Sequence, residues 1–223
     1  MSMQRWLVPI VFAMTLLCSP RAAATAQEPD YIVLDGERLQ LETNVLRPML
    51  QSGAIKLPKP DAQWTSNWRG YVATYEVRDG VLLLTSISVL RDPPGKTGKD
   101  VEAVPTEVLP DVFGGKHEAP AIWFSGTLVL PRGEVVDYVH MGYGSTHERY
   151  TILTVKHGHI ARRKDLDAKA YDALRKVKFA QFRQTAAYAT QVQDMRKDGG
   201  SRKYADDFLY DFAVEEYMSL GDP

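Results

Sequence analysis

Cysteine is almost absent from this sequence: Cys18 is the only one among 223 residues. Disulfide bonds within the chain therefore cannot stabilise the fold, and a packed apolar core must do so. Long apolar runs are scarce as well. The run Trp6 to Leu17 is well short of the roughly 20 residues that a membrane-spanning helix needs. We therefore expect no integral membrane anchor.

The sequence also lacks an excess of positive charge, with 27 basic and 28 acidic residues. Residues 1–26 contain two of the basic residues and no acidic one, so the remainder carries 25 basic and 28 acidic side chains. Nucleic-acid binding normally shows a basic excess or a basic stripe. We therefore expect no nucleic-acid partner.

The first 26 residues have the order of a secretory signal peptide: Arg5, the apolar run, and the small residues Ala24-Thr25-Ala26. This pattern predicts cleavage after Ala26 and a periplasmic or secreted protein. A lipoprotein lipidated at Cys18 is the alternative. Leu17 stands directly before that cysteine, where such sites carry a small residue.

Four glycine-marked turns divide the middle of the chain: Asp35-Gly36, Asp79-Gly80, Arg132-Gly133 and His157-Gly158. Asp-Gly suits a two-residue hairpin because both positions need positive φ. The flanking runs are rich in β-branched and aromatic residues, and strands joined by tight turns pair antiparallel. We therefore predict an antiparallel β-domain over residues 27–163.

Two local features refine this β-domain. Residues 122–130 carry apolar side chains on both faces, which predicts a central, buried strand, with Pro131 standing just before a turn. Residues 44–51 form a short helical candidate between the first two hairpins.

Residues 164–223 have helical patterning instead. Asp165 is a candidate N-cap, a break is expected near Lys178, and Gly199-Gly200 should end the run before Ser201 caps a last helix. The fold class is therefore α+β. It is mainly an antiparallel sheet, a hairpin-rich meander or a sandwich- or barrel-like form, with C-terminal helices packed on it or extending from it.

The histidines lie within one stretch of the chain, at positions 117, 140, 147, 157 and 159. Imidazole is a common zinc ligand, and His157-x-His159 would share a face within one strand. The hairpin interpretation instead places His157 in a turn, away from His159. No metal ligand, cofactor or catalytic residue is therefore assigned from the sequence.

A glycine-rich segment over residues 140–149 supplies most of the candidate ligand-binding residues, which are His140, Tyr143, Ser145, His147 and Glu148. It matches neither the dinucleotide fingerprint nor the nucleophile elbow. A plain loop between strands and a binding loop both fit. In a catalytic alternative, His140 or His147 is the base and Glu148 orients it.

Trp64, Trp68, Arg69 and Tyr71 form an aromatic and basic cluster that could stack a sugar or a peptide. Trp68 and Arg69 are therefore also candidate ligand-binding residues. Alternatively, Trp68 and Tyr71 belong to the core and Arg69 lies on the solvent side.

Three stretches, NWRGYVATYEV from Asn67, IWFSGTL from Ile122 and YVHMGYGS from Tyr138, resemble an uncharacterised family of exported bacterial proteins. The resemblance covers residues 34–160 and neither the signal peptide nor the C-terminal helices. It implies a bacterial β-module with these residues as its hallmarks, and it assigns no activity and no functional residue to this sequence.

Three functional hypotheses follow. The first is a non-enzymatic exported protein that binds a small polar ligand or another protein. The second is a metal-dependent or acid–base hydrolase acting through His140, His147 and Glu148. The third is an envelope-associated factor that docks through an apolar stripe at Tyr204, Phe208 and Phe212.

Overall fold

Nine strands and six helices are found in the residues that the computed structural model describes, which are 28–62, 66–96, 101–138 and 144–221. The strands are β1 (Asp30–Leu34), β2 (Glu37–Leu41), β3 (Val72–Arg78), β4 (Val81–Arg91), β5 (Val104–Glu107), β6 (Ala119–Pro120), β7 (Gly126–Asp137), β8 (Thr146–Lys156) and β9 (His159–Asp167). The helices are α1 (Arg47–Gln51), α2 (Leu109–Val112), α3 (Ala168–Phe182), α4 (Ala186–Lys197), α5 (Arg202–Phe212) and α6 (Val214–Met218). The predicted α+β class is confirmed.

Three of the four predicted hairpin turns are confirmed. Asp35 and Gly36 have φ of 54° and 80°, Asp79 and Gly80 have 52° and 74°, and His157 and Gly158 have 45° and 77°. Positive φ at both positions gives the turn a twist that matches the strands it joins. These turns connect β1 to β2, β3 to β4, and β8 to β9.

The turn predicted at Arg132-Gly133 is wrong, because β7 continues through it to Asp137. Gly133 has φ of 76° and lies where the pairing of β7 with β8 shifts register. A single positive-φ glycine inside a strand accommodates a bulge and not a reversal. Pro131 likewise lies within the strand, opposite Tyr150. Its missing N–H is tolerated because β7 is the last strand in the hydrogen-bonding order.

The strand order is β2-β1-β3-β4-β9-β8-β7, with β5 and β6 paired to β4. Every pairing is antiparallel except that of β1 with β3. The two ends of this order also meet. The backbone N–H of Glu42 donates to the carbonyl of Val129 at 3.0 Å. The hydroxyl of Thr43 donates to the carbonyl of Thr127 at 3.2 Å and accepts from the N–H of Val129 at 3.3 Å. The sheet thus curls towards a barrel.

Two apolar cores lie on opposite faces of this curved sheet. The first contains Leu128 and Leu130 together with side chains from β1 to β4. The second contains Val129 together with side chains of β8 and of helices α3 to α6. Residues 126–131 are therefore buried on both faces, as predicted, although the strand begins at Gly126 and not at residue 122. The C-terminal helices pack on the sheet.

The helix boundaries differ from the predicted ones, beginning with α1, which starts at Arg47 and not at residue 44. Asp167, and not Asp165, caps α3, since its side chain accepts from the N–H of Ala170 at 2.7 Å. Asp165 lies on β9, which extends beyond residue 163, and accepts from the Thr151 hydroxyl at 2.6 Å. The break falls between α3 and α4, after Phe182 and not near Lys178.

The predicted start of the last helical region is confirmed. The side chain of Ser201 accepts from the N–H of Tyr204 at 3.0 Å and caps α5, after a glycine pair that follows α4. No helix in the described ranges has both the length and the apolar character needed to cross a bilayer.

Candidate functional site

The alternative that places Trp68 in the core and Arg69 on the solvent side is wrong for both residues. Trp68 is 74% exposed, whereas the side chain of Arg69 is only 6% exposed. Arg69 lies 3.2 Å from the carboxylate of Asp30 and donates to the carbonyl of Glu28 at 2.7 Å. Asp30 is fully buried at the start of β1, so it requires a nearby cation. Arg69 therefore serves the fold, while Tyr71 is a core residue as expected.

The buried pair of Arg69 and Asp30 continues into a polar network that reaches the last helix. Arg69 also hydrogen-bonds Asn44, whose amide donates to Glu215 on α6 at 2.5 Å. Arg47 lies 3.0 Å from the same carboxylate. Burial raises the pKa of Glu215, against the opposing effect of Arg47. The network thus attaches α6 to the start of the β-region.

The glycine-rich candidate segment is described only in part. His140 and Tyr143 lie outside the described residues, as does Trp64 of the aromatic cluster. Ser145 is half-buried just before β8. The Glu148 carboxylate accepts from the backbone N–H of Glu134 at 3.3 Å.

His147 contacts Tyr150 through both its backbone and its ring. Its backbone N–H donates to the Tyr150 hydroxyl at 2.8 Å, and the two rings meet edge to face with centroids 6.1 Å apart. Burial lowers the pKa of His147, against a hydrogen bond with the backbone of Gly133. Within the described ranges Nδ1 of His147 has no hydrogen-bond partner, so Glu148 does not orient this ring.

His157 and His159 are both exposed, the first in the turn and the second at the start of β9. The prediction that a hairpin separates them is therefore confirmed. Across the described residues no three His, Cys, Asp or Glu side chains gather in a way that could hold a metal ion.

A different site lies between the sheet and α3, and its sheet wall follows from strand register. Thr127 on β7 pairs with Thr154 on β8, which pairs with Arg162 on β9, so these three residues form one row across the strands. Ile152 and Lys164 form the adjoining row two residues away. Side chains two apart on a strand share a face, so both rows project towards the helices.

The helical wall of the site consists of Leu174 and Lys178 on α3 and Met218 on α6. Leu174 and Lys178 are four residues apart and therefore lie on one face of their helix. Together the two walls enclose a cavity of about 210 Å³. We call it the cationic pocket, and its lining residues are Thr127, Ile152, Thr154, Arg162, Lys164, Leu174, Lys178 and Met218.

The charge of the cationic pocket is one-sided. Among the described residues, its lining contains three cations, Arg162, Lys164 and Lys178, and no carboxylate. In the described part of the chain, neither Arg162 nor Lys164 has a carboxylate within 4.0 Å. The neighbouring Arg163 is different, because it points to the other face and pairs with Asp35 and Asp165. Two threonine side chains add hydroxyl groups to the lining.

A second cavity, of about 300 Å³, lies at the other end of α3. Tyr150 and Tyr171 stack in its wall with ring centroids 3.7 Å apart. Arg175 also lines it, but its guanidinium already donates to the Tyr217 hydroxyl at 2.9 Å and to the Tyr210 carbonyl at 2.8 Å. These contacts hold α3 against the later helices.

The apolar stripe of the last helix is partly exposed. Tyr204 is 56% exposed, and Phe208 and Phe212 are half-buried. Their rings follow one another, with centroids 6.1 Å apart for Tyr204 and Phe208 and 4.9 Å for Phe208 and Phe212. The adjacent side of α5 buries Ala205 and Leu209 in the second core, against which Phe208 also packs. The main apolar contacts of α5 are therefore with the second core of this chain.

The sequence reasoning missed the cationic pocket. The alternation Arg162-x-Lys164 was readable, but the pairing of β8 with β9 and the position of α3 were not. Comparison of the chain with protein-family models, with curated proteins and with solved structures finds no match.

Proposed function

We propose that this is an exported, non-enzymatic protein that binds a small anion in the cationic pocket. The observation that carries the proposal is a concave site whose described lining residues include Arg162 and Lys164 and no carboxylate. Arg162 and Lys164 lie two residues apart on one face of β9, so their charges repel each other unless an anion lies between them. Arginine also presents a planar fork of donors that matches carboxylate and phosphate.

The position of the pocket supports a binding role. It lies between two packed layers, and its sheet wall is held by the pairing of β7, β8 and β9, in which the register between β8 and β9 shifts only after Thr154. Sites on regular elements keep their geometry better than sites on loops. A ligand would therefore meet side chains that are already oriented, and less entropy would be lost on binding.

The hydrolase alternative has less support. Within the described residues, the Glu148 carboxylate contacts the backbone of Glu134, and the His147 ring contacts Tyr150. An acid–base pair needs the two groups within hydrogen-bond reach. A metal-dependent form would need a ligand set that includes residues beyond those described.

Export remains part of the proposal and rests on the N-terminal pattern. Expression in a bacterial host, followed by mass spectrometry of the periplasmic and medium fractions, tests it. The expected product begins at Gln27. A full-length product retained in the cytoplasm would contradict export, and a product lipidated at Cys18 would support the lipoprotein alternative.

Anion binding is tested by calorimetric titration at low ionic strength with phosphate and with acetate. The protein is the chain from Gln27 onward, which contains every described strand and helix. The double variant Arg162→Gln/Lys164→Gln should weaken binding at least tenfold. Losing charge-assisted hydrogen bonds of about 1.5–3 kcal/mol each accounts for that change.

The matched control is Arg149→Gln/Lys156→Gln, which removes one arginine and one lysine from exposed positions of β8 outside the pocket. This control should bind like the wild type. Equal losses in both double variants would mean that overall charge, and not the pocket, attracts the anion. Absence of any anion binding by the wild type would refute the proposed function.

A further inference from the structure

We propose that the bound anion is a phosphate monoester group in its dianionic form. This inference rests on the proposed function of the cationic pocket and names its ligand class. It is carried by three side chains of the sheet wall, Thr154 on β8 and Arg162 and Lys164 on β9. We call these three side chains the anion site.

Strand register places the three side chains beside one another. Thr154 pairs directly with Arg162, so their Cβ atoms lie about 5 Å apart on one face of the sheet. Lys164 follows Arg162 by two residues on the same face, about 7 Å further along β9. All three line the same cavity, so one ligand can contact all of them.

The other polar residues of the cavity already have partners. The Lys178 ammonium donates to the carbonyl of Leu220 at 2.5 Å, and the backbone N–H of Thr127 donates to the Ser219 hydroxyl at 3.0 Å. Among the described residues, by contrast, no partner is found for the side chains of the anion site. The anion is therefore assigned to this site, without a contribution from Lys178 or Thr127.

The charge of the anion site favours a dianion. Arg162 and Lys164 carry two positive charges, and in the described ranges neither has a carboxylate within 4.0 Å. A monocarboxylate neutralises only one of these charges. A phosphate monoester carries a charge of about −1.5 to −2 at pH 7 and neutralises both, so its attraction to the site is stronger.

The directions of the donors favour a tetrahedral group. Thr154 is half-buried whereas Arg162 and Lys164 are exposed, so the hydroxyl lies at the floor of the site and the cations lie at its rim. The two oxygens of a carboxylate lie in one plane, and the guanidinium fork alone satisfies them. A phosphate monoester has three acceptor oxygens that point in different directions, so guanidinium, ammonium and hydroxyl can all donate to it.

The cavity also has room for a phosphate group. If each non-hydrogen atom takes about the 30 Å³ that a water molecule occupies in the liquid, the group needs about 150 Å³. The cavity has about 210 Å³. Because the cations are exposed, the organic part of the ester can extend past them into solvent. The site therefore recognises the phosphate group itself, which soluble monoesters and some lipid headgroups share.

The test is calorimetric titration at low ionic strength with glycerol 3-phosphate, sulfate and acetate, on the chain from Gln27 onward. At pH 7.5 glycerol 3-phosphate should bind at least tenfold more tightly than acetate. Its affinity should fall about tenfold at pH 5, because the second pKa of a phosphate monoester is about 6. Sulfate is a dianion at both pH values and should bind equally at both. The described lining contains no His, Asp or Glu side chain that would change charge over this range.

A variant of the floor of the site tests the tetrahedral geometry. Thr154→Val removes the hydroxyl and keeps the branched shape, so glycerol 3-phosphate should bind about tenfold more weakly, as expected for one lost hydrogen bond to a charged group. Acetate should lose less than threefold. The control Thr106→Val removes a half-buried hydroxyl on β5 that donates to the carbonyl of Val104, outside the pocket, and should change neither affinity. Equal losses of both anions in Thr154→Val would overturn the inference.

Vesicles distinguish the two sources of a phosphate monoester. Phosphatidylcholine vesicles that contain phosphatidate present the group as a lipid headgroup. Sedimentation of the protein with these vesicles, abolished by Arg162→Gln/Lys164→Gln, would identify a headgroup as the ligand. Binding of glycerol 3-phosphate without sedimentation would identify a soluble phosphate monoester.

The outcomes separate this inference from the proposed function. Equal affinities for glycerol 3-phosphate and acetate, both dependent on Arg162 and Lys164, would overturn the phosphate ligand and leave anion binding intact. A glycerol 3-phosphate affinity that stays constant from pH 5 to pH 7.5 would overturn the dianionic form. If none of these anions binds, then the proposed function itself fails.

Discussion

The wild-type protein should lose stability between pH 5 and pH 7. Replacing Glu42 with glutamine should make that loss much smaller. Glu42 follows β2 and is 5% exposed. Burial raises the pKa of Glu42 to about 8; Arg175 on α3 opposes this shift and Glu215 on α6 adds to it.

The sign of the effect follows from proton binding. The pKa of Glu42 is 4.5 without the fold and about 8 within it, so between these values only the folded state holds the proton. The free energy of unfolding then falls as pH rises, by about 1.4 kcal/mol per unit. The stability is fully present below pH 4.5, and from pH 5 to pH 7 about 2 to 3 kcal/mol is lost through this one group.

Urea unfolding followed by tryptophan fluorescence at pH 5, 6 and 7 measures this loss. The difference in unfolding free energy between Glu42→Gln and the wild type should grow by about 2 to 3 kcal/mol in favour of the variant over that range. Glu134→Gln, at an exposed position on β7, should follow the wild type. A Glu42→Gln difference that stays constant with pH would refute the reasoning.

Two further changes test the fold. Gly158→Ala should lower the melting temperature more than Gly80→Ala. The two glycines have similar φ, 77° and 74°, but a Cβ at Gly158 would lie 2.9 Å from the backbone of Ala121, whereas a Cβ at Gly80 would meet nothing within 4 Å. Equal decreases in melting temperature would mean that backbone strain alone determines the effect. Deleting residues 201–223 removes α5 and α6, which share the second core with Val129 of β7 and with α3, so the truncated protein should bind a hydrophobic dye and melt earlier. An unchanged melting temperature would contradict that packing.

Local backbone chemistry was the most predictable part of the fold. Asp35-Gly36 and Asp79-Gly80 were identified because two adjacent residues tolerate positive φ. The same reasoning predicted a turn at Gly133 wrongly, because one positive-φ glycine is compatible with either a turn or a β-bulge. Pairing with a neighbouring strand determines whether a turn or a bulge forms. Here Glu148 of β8 lies directly against Gly133. That contact depends on register, which a single strand does not reveal.

The candidate site was less predictable because it depends on partners distant in the sequence. Arg69 seemed free to bind a ligand until the fold placed Asp30 beside it. Arg162 and Lys164 carried a visible alternation, but an alternation of exposed cations is common on strands. Only the position of α3, set by Tyr171 against Tyr150, turns those cations into one wall of a cavity.

The junction at Thr43 has a consequence for how the protein must be made. Its hydroxyl bonds to the backbone of Thr127, 84 positions later. A chain still being synthesised therefore lacks the strand that seals β2, whose backbone groups stay open to pairing with other chains. Contacts between such distant residues also form late in folding. Aggregation during synthesis should thus be greatest for fragments that end between Glu42 and Thr127.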